Sequence, residues 1–326
     1  MAETTNIAKM AEILSRELFS EFLWETSGPW NQNWPCEETE RHAVKTHPSD
    51  VVFWYDNPYS LTRTYVNCDL KSYSRGSITT GRITSAIESL ARSLNCAEKS
   101  QQWQKLYVHE HVTPDISGLL FIYNHDGEFD RDFGGCLSEV TPNLAELPKR
   151  SKIVVLGPSD IFWLSNVRYE IVQMRGKGEL PQGQFCQYYY PNLVLSNNLQ
   201  PANARSATLE ILTSPWIILS YPASPQTDAR NFIIFYRRRG EEVREFLYLI
   251  DYLMHYQTFD NNTIVKIKTL EPGLLAPPTF GKAIDEYLDV CEKSGEIKRR
   301  LDQIQYSQMG QIQTRFSPIE IGMDSA

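Results

Sequence analysis

Residues 50–71 hold the pattern that most limits what this chain can fold into. Val51-Val52-Phe53-Trp54-Tyr55 is a β-branched and aromatic run set between Pro48 and Asn57-Pro58, which reads as a buried strand. Thr64 to Lys71 then alternates. Tyr65, Asn67, Asp69 and Lys71 share one face, and Val66, Cys68 and Leu70 the other, as a two-residue period requires. Asn57-Pro58-Tyr59-Ser60 between the runs is turn chemistry, so the two strands pair as a hairpin. That hairpin brings Asp50, at the start of one strand, alongside Asp69 and Lys71 near the end of its neighbour.

Pro48-Ser49-Asp50 followed by Asp69-Leu70-Lys71 resembles the core motif of the PD-(D/E)XK nuclease superfamily, the restriction-endonuclease-like proteins. The second half matches; the first acid stands one residue away from the strict Pro-Asp form. The resemblance implies a metal-dependent endonuclease in which Asp50 and Asp69 hold Mg²⁺ or Mn²⁺ and Lys71 stands beside the attacking water. The chemistry agrees. Phosphodiester hydrolysis needs carboxylate oxygens for a hard cation, a nucleophile made at neutral pH, and a counter-charge for the phosphorane. Taken bare, an Asp-x-Lys triplet occurs by chance, and an Asp opening a strand is ordinary turn punctuation.

The surroundings extend the match. Ile7 to Glu25 reads as a helix with Met10, Ile13, Leu14, Leu18 and Trp24 on one arc, ended by Thr26-Ser27-Gly28-Pro29. Glu17 and Glu21 point into that arc, where a carboxylate is costly unless paired or metal-bound. A salt bridge to an Arg would satisfy either one. The resemblance implies instead an acid on this helix that completes the metal site, with Glu17 placed first and Glu21 second. Glu40 to Lys45 reads as an edge strand. Cys36, His42 and His47 offer zinc-ligand types, but their spacing fits no usual structural pattern and a fourth ligand is missing. The sequence therefore argues against zinc. By this reading His47 and Arg63 lie near the site, with a solvated position the equal alternative for each. Ser72 and Arg75 fall in the polar loop after Lys71, and Thr84 to Asn95 is a helix with Arg82 just before it and Arg92 along it. Leu119 to Tyr123 is a strand, and the acid-rich stretch 124–132 a hairpin turn. This order is helix, three strands, helix, strand, the order of the restriction-endonuclease-like core. Lys152 to Leu156 and Ile161 to Met174 add an outer strand and helix, which closes a nuclease-like domain at 1–178.

Residues 179–326 read as a further α/β region, an accessory or partner-binding part that no resemblance covers. It has strands at 216–221, 232–236 and 264–267, helices at 241–256 and 283–304, and a polar tail that is disordered or ordered by a partner. Arg237-Arg238-Arg239 is the densest basic cluster and, with Arg82, the candidate for nucleic-acid contact; Glu241 and Glu242 dilute its field. The chain has 326 residues with 41% apolar content, enough for two domains. No apolar run reaches spanning length, and six scattered cysteines read as reduced thiols of a cytoplasmic protein. A net charge of −8 is unlike a free-standing nucleic-acid binder. The expectation is therefore an oligomer, or a partner protein held through the C-terminal half; the resemblance adds, by analogy alone, a subunit of a bacterial DNA restriction or anti-phage defence assembly. DNA stands ahead of RNA as substrate. Two alternatives are a nuclease of structured RNA such as tRNA, and a non-catalytic scaffold that keeps the fold.

Overall fold

The hairpin expected over residues 50–71 forms, and it lies at the centre of a sheet. The computed structural model describes residues 2–60, 62–190, 206–223, 229–255, 263–290 and 295–312. Contacts divide these into two units. The first runs to Phe162 and takes in Ser206–Glu210; the second holds Trp163 onward with Ile211–Ile312.

The first unit is an α/β domain. In chain order it contains α1 (Ala2–Glu21), β1 (Glu25–Ser27), β2 (Gln32–Pro35), α2 (Thr39–His42), β3 (Thr46–Ser49), β4 (Val51–Asp56) and β5 (Arg63–Tyr73). There follow α3 (Thr80–Lys99), α4 (Gln101–Tyr107), β6 (Pro114–Asn124), α5 (Phe133–Ser138) and β7 (Ile153–Leu156), then α6 (Pro158–Gly176). Its main sheet has the order β1-β4-β5-β6-β7. The first two junctions are antiparallel and the last two parallel. Asn57 closes the central hairpin by accepting a hydrogen bond from Tyr59 N at 2.9 Å through its side-chain oxygen, an Asx turn. The parallel β5–β6 pair needs a crossover, and α3 with α4 provides it.

Each face of this sheet is covered by a helix whose apolar side the sequence dictates. On one face α1 brings Phe19 against Phe53 and Phe121, with ring centroids 5.1 and 6.0 Å apart, and against Trp24 at 4.6 Å. On the other, Ile83, Ile87 and Leu90 of α3 pack with Val52, Tyr65 and Leu120. α3 starts where Thr79 Oγ1 accepts from Arg82 N at 3.4 Å, an N-cap.

Three local expectations are corrected. α1 stops at Glu21 because Leu23 turns into the left-handed region (φ 62) and Trp24 N bonds back to Phe19 O at 3.0 Å. The residues after it form β1, so the edge strand lies at 25–27 and not at 40–45. There, α2 makes one helical turn, closed by Ala43 at φ 54. The acid-rich stretch after β6 is not a hairpin, since β6 and β7 are parallel. Its last acid, Asp132, instead caps α5 by accepting from Gly134 N and Gly135 N at 3.0 Å each.

The second unit contains β8 (Gln187–Tyr188), β9 (Trp216–Pro222), β10 (Arg230–Tyr236), β11 (Val265–Thr269) and β12 (Gln305–Gln308). Among the described residues its helices are α7 (Leu209–Leu212, whose first turn is grouped with the first unit), α8 (Val243–His255), α9 (Ala276–Val290) and α10 (Gly295–Asp302). Its sheet runs β8-β9-β10-β11-β12. The junctions are antiparallel, antiparallel, parallel, parallel, the same succession as in the first unit. α6 precedes β8 as α1 precedes β1. Its later residues bond within the second unit: Glu170 pairs with Lys268 of β11 at 2.7 Å, and Asn166 accepts from Ile312 N at 2.7 Å. That is why the division falls inside α6, whereas the sequence reading kept α6 in the first domain and ended it at 178. The described parts of the helix expected over 283–304 lie in α9 and α10, and residues 291–294 between them lie outside the described residues. The linker from 191 and the tail from 313 lie outside the described residues. Among those described, no helix is long and apolar enough to cross a membrane.

Candidate active site

The register of the central hairpin places the acids. Val51 pairs with Cys68, so one step further Asp50 stands across from Asp69. Asp50 Oδ2 accepts from Leu70 N at 2.7 Å, and Asp50 O accepts from Asn31 N at 2.8 Å. Lys71 Nζ and Asp69 Oδ1 are 2.5 Å apart, with side chains 32% and 17% exposed. A small recess lined by Pro48, Asp50, Asp69 and, from α3, Ser89 and Ser93 opens beside them. The three residues that the sequence set at one strand corner therefore meet there.

Residues 1–160 match a family model described as the GAPS4 protein PD-(D/E)XK nuclease domain. Residues 1–160 are a PD-(D/E)XK nuclease domain. No curated protein and no solved structure shows significant similarity to the chain.

The nuclease domain's acidic corner carries an electrostatic surplus. Burial first, and then the charge of Asp69, push Asp50 up to about 6, although Leu70 N–H and Lys71 pull the other way. Burial works against the Lys71 ammonium, yet Asp69 and Asp50 raise its pKa overall, so it stays protonated. Two carboxylates against one ammonium leave a net negative charge among these three groups. An all-oxygen donor set with that surplus suits a hard divalent cation.

This has a pH consequence. The folded pKa of Asp50 lies above its ordinary 3.8, so between about 4 and 6 the folded state binds more protons than the unfolded. Its contribution therefore favours folding increasingly as pH falls through that window and is lost as pH rises through the folded value. A cation held by Asp50 competes with the same proton. Calorimetric titration with Mn²⁺ is expected to show affinity weakening below pH ~6 with proton release on binding; an affinity unchanged from pH 5 to 8 would remove Asp50 from the ligand set.

On α1 of the nuclease domain the acid that senses this corner is Glu12. Its charge adds to the rise of Asp50, and Glu12 Oε1 accepts from Asn31 Nδ2 at 2.8 Å, the residue whose backbone holds Asp50. Glu17 and Glu21 lie about 140° and 180° round the helix from Glu12. Nothing local in the sequence distinguishes Glu12, because the connection runs through Asn31.

The remaining candidates are dispersed. Ser72 Oγ lies 3.4 Å from His125 Nδ1. Arg75 pairs with Asp130 at 2.9 Å, and the Arg82 guanidinium lies 5.7 Å from the centre of the Tyr73 ring. Arg63 pairs with Asp56 at 2.8 Å and covers Trp54, at the turn end of the hairpin and away from Asp50, which corrects its expected place. In the second unit Arg237 packs 4.8 Å over Trp163. Arg238 and Arg239 pair with Glu245 at 3.4 Å and Glu241 at 3.3 Å.

Proposed function

We propose that this protein is a metal-dependent endonuclease that hydrolyses nucleic-acid phosphodiester bonds, DNA ahead of RNA. The observation that carries the reading is the meeting of Asp50, Asp69 and Lys71 at one half-buried corner of a PD-(D/E)XK nuclease domain. This reading takes α1, the strands β1, β4 and β5, α3 and β6 as the helix, three strands, helix, strand of a restriction-endonuclease-like core, with β2, α2, β3 and α4 as additions to it. Asp50 and Asp69 would hold Mg²⁺ or Mn²⁺, with Glu12 in place of Glu17 as the helix acid. Such a cation, when bound, polarises the phosphate and supplies a hydroxide-like water at neutral pH. Lys71 stays charged beside Asp69 and offsets negative charge on the phosphate. Asn31 fixes Asp50 through its backbone and Glu12 through its side chain, so one residue orients two acids.

The net charge of −8 and the ion-paired arginines of the second unit favour action with a partner protein or as an oligomer, in the cytoplasm, within an anti-phage defence assembly. One observation favours a non-catalytic scaffold: Lys71 already satisfies Asp69, and Leu70 N–H already satisfies Asp50. Incubation with Mg²⁺ or Mn²⁺ and a mixture of plasmid, linear DNA and tRNA decides between them. The expected result is DNA cleavage that EDTA stops and that Glu12→Gln slows more than Glu17→Gln. Cleavage of tRNA alone would establish the RNA substrate. No cleavage under any metal or partner condition would leave the scaffold.

A further inference from the structure

We propose that Cys36, His42, His47 and Cys96 bind a structural zinc ion. The sequence argues against zinc because the spacing of Cys36, His42 and His47 fits no usual structural pattern and a fourth ligand is missing. The fold supplies it. Cys36 follows β2, His42 ends α2 and His47 lies on β3, while Cys96 reaches the same point from the last turns of α3. The β2–β3 ladder pairs Trp34 with His47, and Cys36 N donates to Lys45 O at 3.0 Å. The left-handed turn at Ala43 folds His42 back between them.

The distances fit a tetrahedron. Cys36 Sγ and Cys96 Sγ are 3.6 Å apart, and each lies 3.4 Å from His42 Nδ1. All four potential ligand atoms lie within 4.8 Å of one another. With Zn–S about 2.3 Å and Zn–N about 2.05 Å, a regular tetrahedron has S–S edges of about 3.8 Å and S–N edges of about 3.6 Å. A disulfide would need about 2.05 Å between the sulfurs.

Burial and the outer contacts point the same way. The four residues are 7%, 5%, 3% and 0% exposed in chain order, and the buried His47 Nε2 has no hydrogen-bond partner. An orphaned imidazole nitrogen in a dry site is costly, and a metal bond removes that cost. His42 turns its other nitrogen, Nε2, to Glu146 Oε2 at 3.4 Å, and Arg41 holds the second oxygen of Glu146 at 2.8 Å. A carboxylate behind a ligating histidine is the arrangement that fixes its tautomer. The donor set of two sulfurs and two nitrogens selects zinc over the hard cations suited to Asp50 and Asp69. Because the protein fills all four positions, the ion is structural rather than catalytic. It would tie the β2–β3 hairpin to α3. Ser49, two residues beyond His47, is already gripped by Trp34 Nε1 at 3.0 Å and Trp103 Nε1 at 3.3 Å, and Asp50 comes next.

The test uses the full chain, purified under reducing conditions, supplemented with ZnCl₂ and desalted. Elemental analysis is expected to give about one zinc per chain. Replacement by Co²⁺ should give the visible bands of tetrahedral cobalt with thiolate charge transfer. Cys96→Ser should lose the metal, whereas Cys136→Ser, outside the cluster, should keep it. If Cys96→Ser does not fold, the cobalt spectrum of the unmodified protein decides. Less than a tenth of an equivalent of zinc after supplementation, an octahedral cobalt spectrum, or a Cys36–Cys96 disulfide in the mass spectrum would each overturn the proposal.

Discussion

Asp69→Asn is expected to reduce metal-dependent cleavage about a thousandfold while leaving the fold intact. A cation's stabilisation of transition-state charge is worth several kcal/mol, and each 1.36 kcal/mol is a factor of ten. The structural cost is small by comparison. The Asp69–Lys71 pair is partly exposed, and such pairs contribute about 0–1 kcal/mol. Losing the charge of Asp69 also removes a repulsion that holds Asp50 up. Lys71→Ala should cause a comparable loss of cleavage but leave Mn²⁺ binding in place, because it takes away a counter-charge and not a ligand. Asp56→Ala is the control, since Asp56 meets Arg63 at the far end of the hairpin. Single-turnover cleavage and melting curves on the three variants separate the outcomes. If all three cut like the unaltered protein, the strand corner is not the reactive centre.

Phe19→Ala should have the largest effect on stability, about 3–5 kcal/mol. Phe19 is fully buried and touches three rings: Phe53 of β4, Phe121 of β6 and Trp24 beyond the helix end. Its removal leaves a cavity where α1 meets the sheet, and α1 carries Glu12. Against a typical total of about 5–15 kcal/mol, that loss would weaken the docking of the whole helix. Ser20→Ala, one residue on and exposed, touches no packing and should stay within about 0.5 kcal/mol. Urea titrations of the two variants measure the difference; similar midpoints would show that α1 is not held by this cluster.

What could be seen in the sequence was whatever rests on local periodicity. The strands at 51–56 and 63–73, their turn and the meeting of Asp50 with Asp69 follow from alternation and from one Asn-Pro step. The helices α3 and α6 follow from apolar spacing, with ends a few residues out. Features decided by distant partners were hidden. The helix expected over 7–25 extends past Glu21 because Trp24 continues its apolar arc and Phe22 and Leu23 keep the other side apolar, while the left-handed turn at Leu23 depends on where Trp24 packs. Glu12, the helix acid of the proposed function, has no mark in the apolar arc, because its link to Asn31 is a tertiary contact. Cys96 stands 60 residues from Cys36, so only the crossover that returns α3 to the sheet makes them neighbours.

The second sheet repeats the strand directions of the first, and this bears on stoichiometry. In the first unit the step beyond Val51 and Cys68 sets Asp50 against Asp69. In the second, the step beyond Trp216 and Tyr236 sets Pro215 against Arg237, with Arg237 N bonded to Pro215 O at 2.9 Å. The recess there is bordered by Trp216, Arg238, Arg244 and Tyr248 together with Glu242 and Glu245, but at the strand step itself Pro215 and Arg237 stand where the first unit has Asp50 and Asp69. Among the described residues, the strand step of the first unit carries the acid pair on which the proposed function rests, and the matching step of the second does not. One molecule can then break one strand of a duplex per encounter, and severing both takes a second visit or a second molecule.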